Sequence, residues 1–170
     1  SRSNLDASGL LPHNLGWFPE KINSEVDVVI LGMHAKKDNP ELLEAQKKGL
    51  KIQSYPEFLA DRSQNKSRVV IAGSHGKTTI TSMILYVLFY HEIKTDFMVG
   101  AQLKFMSKTL SISKENDFIL LEGDEYLSSP IDLRPKFLWY RPEIALISGI
   151  AWDHINVFPT FENYIKQFES

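Results

Sequence analysis

The chain has 170 residues, of which 43% are hydrophobic and 24% are charged, and this composition excludes an intrinsically disordered protein. Its 19 Lys and Arg residues are balanced by 21 Asp and Glu residues. The chain therefore lacks the basic excess that neutralises a nucleic acid backbone, and we expect no nucleic acid partner. The absence of cysteine excludes disulfides, thiolate zinc sites and thiol catalysis.

The first part of the chain predicts an α/β unit. A β-branched apolar run over residues 26–31 is typical of a buried parallel strand. Asn39 and Pro40 favour the start of a helix, because Asn caps free backbone amides and Pro fits the first helical turn. In chain order, we predict a strand over 26–31, a helix over 41–48, a strand over 50–55 and a helix over 56–62. This alternation is typical of a parallel sheet.

A polar segment over 63–67 is interpreted as a linker, so the predicted domains are 1–66 and 67–170. In the second domain we predict a strand over 68–72, a helix over 77–90, strands over 96–99, 118–122 and 144–148, and a closing helix over 161–168. The longest fully apolar run, residues 84–90, is much shorter than the roughly 20 residues that a membrane-spanning helix needs. We therefore expect no membrane partner.

The segment between the strand at 68–72 and the helix at 77–90 has the composition of a phosphate-binding loop. It reads Gly73-Ser74-His75-Gly76-Lys77-Thr78-Thr79, and we expect all seven residues to contact a nucleotide. Glycines let backbone amides turn around an anion, and the following helix adds its partial positive charge. Lys77 is predicted to reach the phosphates and Thr78 to bind Mg²⁺. The loop is the shorter form of this motif, since Ile71 stands where the longer form has glycine.

Two further motifs follow predicted strands. The acidic turn Glu122-Gly123-Asp124-Glu125 follows an apolar run, at the strand end where open α/β sheets bind ligands. Its oxygen ligands suit Mg²⁺. The segment Trp152-Asp153-His154 follows the next apolar run, and an Asp-His pair there can ligate a metal or orient a phosphate. Acidic turns and partly buried histidines also occur without such roles. These residues alone therefore leave open whether they bind a ligand or are ordinary parts of the fold.

These three motifs, in this order, resemble those of the Mur ligase family of ATP-dependent amide ligases. The family has a phosphate loop of the form G-[TS]-[HN]-G-K-[TS]-[TS], here G-S-H-G-K-T-T, an E-x-D-E-like turn, here E-G-D-E, and a D-H pair. With His75 at its third position, the loop resembles that of the family branch that acts on UDP-N-acetylmuramate. Within that branch, residues 126–142 are most similar to enzymes that attach the peptide L-alanyl-γ-D-glutamyl-meso-diaminopimelate. Residues 36–41 resemble the branch's uridine-nucleotide domain.

The resemblance implies an α/β fold with a partial Rossmann-like N-terminal domain, residues 1–66, that binds the UDP-sugar. The first part of a P-loop ATPase-type parallel-sheet domain, residues 67–170, would follow. It also implies that the chain is an internal fragment of a three-domain enzyme of the bacterial cytoplasm. Because the amine-binding domain would lie outside it, we expect the isolated chain to be inactive. An incomplete sheet exposes an edge, so we also expect self-association.

The resemblance further implies that ATP and Mg²⁺ are used. The γ-phosphoryl group of ATP would activate the carboxylate of UDP-N-acetylmuramate as an acyl phosphate, which the amine of the peptide would attack. Lys77 would neutralise the β- and γ-phosphates, and Thr78 would hold one Mg²⁺. Glu122 and His154 would hold a second Mg²⁺, and His75 would contact the muramyl side of the transferred group.

Several alternatives remain open at this point. The acceptor could be L-alanine instead of the peptide. More distant alternatives are a folate-polyglutamate-type ligase, another P-loop nucleotidase, or a non-catalytic module that keeps the fold. The chain also departs from the family's T-N-x-x-x-D-H arrangement, since Gly149 occupies the Asn position and Ala151 a usual Glu position. The consequence of this departure for the nucleotide and metal sites is left open.

Overall fold

A computed structural model of the protein describes Gly9 and residues 14–169. The chain forms two compact units, one of Ser1–Val29 with Lys36–Ile52 and one of Ile30–Ala35 with Gln53–Ser170. Residues 1–8 and 10–13 of the predicted domain 1–66 lie outside the described residues. The assignment of 1–66 to UDP-sugar binding and of 67–170 to ATP binding stays a prediction.

The first unit contains the helix α1 (Pro40–Lys47) and a short 3₁₀ turn at Pro19–Lys21. The predicted cap of α1 is confirmed, because Asn39 Oδ1 accepts hydrogen bonds from the backbone amides of Glu41 and Leu42 at 2.8 and 3.1 Å. These bonds satisfy amides that the first helical turn leaves free. Strands β1 (Val28–Leu31) and β2 (Lys51–Ser54), each of which has residues in both units, pair in a two-stranded sheet.

The second unit is an α/β structure in which helices cover both faces of one sheet. Its helices are α2 (Tyr55–Arg62), α3 (Lys77–Tyr90), α4 (Lys136–Tyr140) and α5 (Phe161–Ile165). Its strands are β3 (Ser67–Ala72), β4 (Asp96–Met98), β5 (Leu110–Ser111), β6 (Phe118–Glu122), β7 (Leu127–Ser129), β8 (Asp132–Pro135) and β9 (Ile144–Ile147). All predicted helices and strands therefore exist, with ends that shift by up to a few residues.

The main sheet has the strand order β5-β4-β6-β3-β9, and β4, β6, β3 and β9 run parallel. The predicted parallel sheet is thus confirmed, with the short antiparallel strand β5 added at one edge. In the register of the two central strands, Ile71 lies opposite Glu122. The phosphate-loop segment and the acidic turn therefore leave the sheet side by side, at its carboxyl edge.

Alternate residues of the central strands point to opposite faces of the sheet and pack in two separate cores. On one face, Leu59 of α2 and Tyr140 of α4 pack with Val70 and Ile119. On the other face, Leu85 of α3 belongs to a second buried cluster. Burial on both faces is what makes these strands continuous apolar runs. None of the helices in the described part of the chain has the length and apolarity that crossing a bilayer requires.

The hairpin of β7 and β8 and the helix α4 were not predicted from the sequence. This stretch is held together by side chains, since Trp139 Nε1 donates a 2.8 Å hydrogen bond to Asp132 Oδ2. Arg134 lies over the Trp139 ring, 4.1 Å from its centroid, and also binds Asp132. The closing helix ends at Ile165 instead of residue 168, because the chain tightens into i→i+3 bonds such as Phe168 N–H to Ile165 O at 2.8 Å.

Candidate functional site

The loop between β3 and α3 has a backbone that only glycine fits at its two ends. Gly73 has φ +111° and Gly76, the N-cap of α3, has φ +83°. A Cβ atom on Gly73 would lie 2.7 Å from the carbonyl oxygen of Gly149 and 2.7 Å from Ser148 Oγ. The two glycines thus allow the loop to turn tightly against the end of β9. The free backbone amides of the first turn of α3 then lie at the end of the loop.

Lys77 is held inside this loop by a buried carboxylate. Its Nζ atom donates to Glu125 Oε2 at 2.8 Å, to Gly73 O at 2.5 Å and to Ser74 O at 3.2 Å. The Glu125 side chain is 0% exposed. A carboxylate is buried at little cost only when it is paired and hydrogen-bonded, so Glu125 and Lys77 depend on each other.

The structure brings together Thr78, which was predicted to hold one Mg²⁺, and Glu122, which was predicted to hold a second Mg²⁺ with His154. The Thr78 hydroxyl donates a 2.6 Å hydrogen bond to Glu122 Oε1. The other carboxylate oxygen of Glu122 accepts a 2.9 Å hydrogen bond from the amide of Gly100. The hydroxyl at the start of α3 and the carboxylate at the end of β6 form a donor set of hard oxygens, which suits Mg²⁺.

His154 lies beside Glu125, whereas Glu122, its predicted partner at a second metal, contacts Thr78 and Gly100. His154 Nε2 is 3.5 Å from Glu125 Oε1. The backbone of His154 is left-handed, with φ +55°, and its amide donates to Asp153 Oδ1 at 2.6 Å. Within the described residues, ligand atoms of Asp124, Glu125 and His154 lie within 4.8 Å of one another, which is close enough for one cation.

The remaining loop residues are divided between the backbone frame and the surface. His75 and Thr79 are exposed. The carbonyl oxygen of His75 accepts a hydrogen bond from Ser148 Oγ. Ser74 is buried, and its amide donates a 2.9 Å hydrogen bond to Gly149 O. Gly149 therefore binds the loop through its backbone, at a position where the resemblance leads one to expect a side chain.

Two residues outside the predicted site complete this arrangement, Glu125 and Tyr164. The hydroxyl of Tyr164 donates to Glu125 Oε1 at 2.9 Å and lies 2.6 Å from Ser74 Oγ. Burial, with Glu125 adding to it, raises the pKa of Tyr164 well above its ordinary value. Glu125 belongs to the acidic turn, so the motif pointed to it. Tyr164 lies 90 residues from Ser74 in an ordinary amphipathic stretch, and no sequence signal marks it.

A second lysine–carboxylate pair lies next to the first. Lys136 Nζ is 2.6 Å from Asp124 Oδ2. Burial raises the pKa of the Asp124 carboxyl, but the hydrogen bond and charge of Lys136 outweigh burial and hold that pKa below its ordinary value. The adjacent carboxylates Asp124 and Glu125 are thus each neutralised by a lysine.

A cleft of about 460 Å³ lies beside this site, within the second unit. Its charged lining consists of Lys77, Glu122, Asp124 and Lys136, and Tyr55 and Met98 contribute to its apolar wall. A cleft with apolar walls and a few convergent charged groups is the common form of a small-molecule site. Its place beside the phosphate-loop segment suits a reaction between a phosphate group and a second polar substrate.

Comparison with known proteins identifies relatives of this chain. The sequence model of the Mur ligase middle domain matches residues 71–170. UDP-N-acetylmuramate–L-alanine ligase of Desulforamulus reducens is 30% identical over 155 residues, which are 91% of this chain and 32% of the relative. UDP-N-acetylmuramate–L-alanyl-γ-D-glutamyl-meso-2,6-diaminoheptandioate ligase of Haemophilus influenzae is 30% identical over 146 residues, covering 84% of this chain and 31% of the relative. The chain thus spans about a third of the length of these curated relatives.

Solved structures agree with this result. The crystal structure of UDP-N-acetylmuramate:L-alanyl-γ-D-glutamyl-meso-diaminopimelate ligase from Neisseria meningitides superposes with a TM-score of 0.84 and 26% identity, covering 98% of this chain and 54% of that chain. UDP-N-acetylmuramate–alanine ligase from Thermotoga maritima gives a TM-score of 0.74 with 22% identity, covering 98% and 37%. The second likeness supports the fold alone.

Proposed function

This chain belongs to the Mur ligase family, and we propose that it is part of an ATP-dependent ligase that joins L-alanyl-γ-D-glutamyl-meso-diaminopimelate to UDP-N-acetylmuramate. In this proposal ATP phosphorylates the muramyl carboxylate. The amine of the peptide attacks the resulting acyl phosphate, an amide bond forms and phosphate leaves. The reaction takes place in the bacterial cytoplasm, where ATP is supplied.

One observation carries the proposal, namely the placement of Lys77 and Thr78 at the start of α3 against two carboxylates. Thr78 is 2.6 Å from Glu122, and Lys77 is 2.8 Å from Glu125. Phosphoryl transfer depends on positioning and charge neutralisation more than on covalent chemistry by the protein. An ammonium group, helix amides and hard oxygen ligands at one sheet edge supply those two needs.

The donor set of the site fits Mg²⁺ with a nucleotide. Thr78 and Glu122 would hold the cation through oxygen, and His154, with Asp124 and Glu125 close to it, would contribute at a second position. The chemistry that Mg²⁺ supplies when bound is neutralisation of phosphate charge. The close approach of the Gly73 backbone to the carbonyl oxygen of Gly149 fits a tightly turned loop whose amides surround an anion.

The chain's own residues have separate tasks in this reaction. Lys77 exchanges part of its contact with Glu125 for the phosphates and remains beside them as charge develops. Lys136, paired with Asp124 in the same cleft, keeps that carboxylate from repelling an anionic substrate. His75, on the exposed side of the loop, contacts the muramyl side of the transferred group.

L-Alanine as the acceptor is the second candidate. It is supported by relatives of this chain whose names state that reaction, at 30% and 32% identity. The peptide reaction is supported by a relative at 30% identity and by the solved structure with a TM-score of 0.84. Both reactions share the phosphate loop and differ only in the amine.

The test is phosphate release by the full-length enzyme that contains these residues, with MgATP and UDP-N-acetylmuramate. L-Alanine and the peptide are compared as acceptors, and product masses confirm amide formation. We expect turnover with the peptide and little with L-alanine. Turnover with L-alanine alone supports the second candidate, and no turnover with either contradicts both. The isolated 170-residue chain is expected to form no amide.

A further inference from the structure

A buried tyrosine from the last helix reaches the phosphate loop. Tyr164 lies in α5 with its side chain fully buried, and its hydroxyl lies between Ser74 of the loop and Glu125 of the acidic turn. We propose that Tyr164 is a positioning residue for nucleotide binding, which holds Glu125 and Ser74 and through them Lys77. This inference rests on the proposed function and names a residue that serves the same site.

The direction of the hydrogen bonds follows from the chemistry of the groups. An ionised Glu125 has no proton to give, so the Tyr164 hydroxyl donates to its Oε1 atom at 2.9 Å. The single proton of Tyr164 is then used, and Ser74 Oγ must donate across the 2.6 Å contact. Ser74 Oγ in turn accepts a 2.8 Å hydrogen bond from the amide of Ala151. Each group therefore has one defined role, and the chain ends at Lys77 on the other oxygen of Glu125.

In this chain of hydrogen bonds, Glu125 Oε1 is bound by Tyr164 and not by His154. The Tyr164 hydroxyl is 2.9 Å from Oε1, whereas His154 Nε2 is 3.5 Å away, longer than a normal hydrogen bond. Without the Tyr164 hydroxyl, His154 Nε2 remains as a polar group 3.5 Å from Oε1. Glu125 would then turn toward His154, and its Oε2 atom would leave the position in which it holds Lys77.

The ring of Tyr164 is fixed independently of its hydroxyl. Phe158 and Phe168 pack on it with ring centroids 5.4 Å away in each case, both in edge-to-face geometry. Removing only the hydroxyl therefore leaves the packing of α5 in place. Tyr164→Phe accordingly separates the role of the hydrogen bonds from the role of the ring.

The experiment uses the full-length ligase and measures binding of the Mg²⁺ complex of a non-hydrolysable ATP analogue by calorimetry. Tyr164→Phe is expected to weaken this binding about tenfold, the effect of losing a hydrogen bond to a charged group. The KM for ATP should rise by a similar factor, while the KM for UDP-N-acetylmuramate stays unchanged. Phe168→Leu is the matched control, because it loosens the packing around Tyr164 and keeps the hydroxyl. It should lower the melting temperature and leave the affinity for the analogue unchanged.

A double-mutant cycle adds a second readout. Ser74→Ala removes the other partner of the Tyr164 hydroxyl, so its effect on analogue binding should be less than multiplicative with that of Tyr164→Phe. Multiplicative effects would overturn the inference, as would a Tyr164→Phe enzyme whose affinity and KM for ATP stay within twofold of the unaltered enzyme. If the unaltered enzyme itself does not bind the analogue, the proposed function fails, which is a different result.

Discussion

The hydroxyl of Thr78, at the second residue of α3, donates a 2.6 Å hydrogen bond to Glu122, the last residue of β6. The two residues are 44 positions apart. Parallel pairing of β3 with β6, with Ile71 opposite Glu122, is what makes them neighbours. The contact links the first turn of α3 to the acidic turn.

Replacing Thr78 tests whether its hydroxyl is a ligand of Mg²⁺. Thr78→Val removes the oxygen and keeps the shape, so the Mg²⁺ concentration for half-maximal phosphate release by the full-length enzyme should rise about tenfold. Thr78→Ser keeps the oxygen and should stay close to the unaltered enzyme. A Mg²⁺ titration of phosphate release measures both. Equal Mg²⁺ requirements in the two variants would contradict the assignment.

Lys77→Ala should reduce kcat for phosphate release by about 10²–10³-fold, because a positive charge aimed at the developing phosphate charge is lost. The buried Glu125 also loses its cation, so the melting temperature should fall as well. Lys108→Ala, at an exposed position, is the control and should change neither quantity. Near-normal turnover by Lys77→Ala would show that Lys77 does not neutralise phosphate charge.

Gly73→Ala should destabilise the protein by about 3 kcal/mol, from steric overlap and from the cost of a positive φ. A Cβ atom there would lie 2.7 Å from Gly149 O. Gly49→Ala is the matched control, since Gly49 also has a positive φ, +64°, and has no atom within 4 Å of the added carbon. It should cost about 1 kcal/mol. Urea unfolding measures both, and equal costs would show that the close approach of Gly73 to β9 is not required.

The buried pair of Lys66 and Asp96 predicts a pH-dependent stability. Their charged atoms are 2.9 Å apart, and Asp96 also accepts hydrogen bonds from the amide of Ser113 and from Asn116 Nδ2. Burial raises the pKa of Asp96, but the bonds from Ser113, Lys66 and Asn116 outweigh it and hold the pKa below its ordinary value. A depressed pKa contributes stability that is complete above the unfolded-state pKa, near 3.9, and is lost as pH falls through the folded-state pKa.

Asp96→Asn should therefore lower the free energy of unfolding by about 3 kcal/mol at pH 7, because it leaves Lys66 buried without its counter-charge. The difference from the unaltered protein should shrink as the pH falls below about 4. Asp117→Asn, at an exposed position nearby in the chain, should change stability little. Unfolding curves at several pH values test this. A cost that does not vary with pH would show that the charge of Asp96 is not what stabilises the pair.

Strand β9 predicts how the isolated chain associates. It is an edge strand of the main sheet, and Ile144, Leu146 and Ile147 are 62%, 41% and 49% exposed. An apolar edge strand can pair with another chain, so we expect the 170-residue chain to self-associate through it. Leu146→Lys should shift sedimentation toward the monomer, whereas Leu133→Lys, on the exposed strand β8, should not. Equal behaviour of the two variants would place the association elsewhere.

The part of the fold that was predictable depends on short-range chemistry. Three kinds of feature were predictable because each reflects a requirement of the local backbone. They are the apolar runs of β3 and β6, the Asn39 cap of α1 and the glycines before α3. Prediction failed for the β7–β8 hairpin and α4. Their order depends on contacts such as Trp139 with Asp132, and neither residue has a conformational preference that reveals its partner.

The sequence by itself therefore determined which segment has the composition of a phosphate loop and which strand ends carry the acidic turn and the Asp-His pair. Only the tertiary structure decided the strand order β5-β4-β6-β3-β9, the pairing of Lys77 with Glu125, and the arrival of Tyr164 at the same carboxylate. The physical reason is sequence separation. Lys77 and Glu125 are 48 positions apart and Tyr164 and Ser74 are 90 apart, so sheet register and the packing of α5, and not local preference, bring these atoms together.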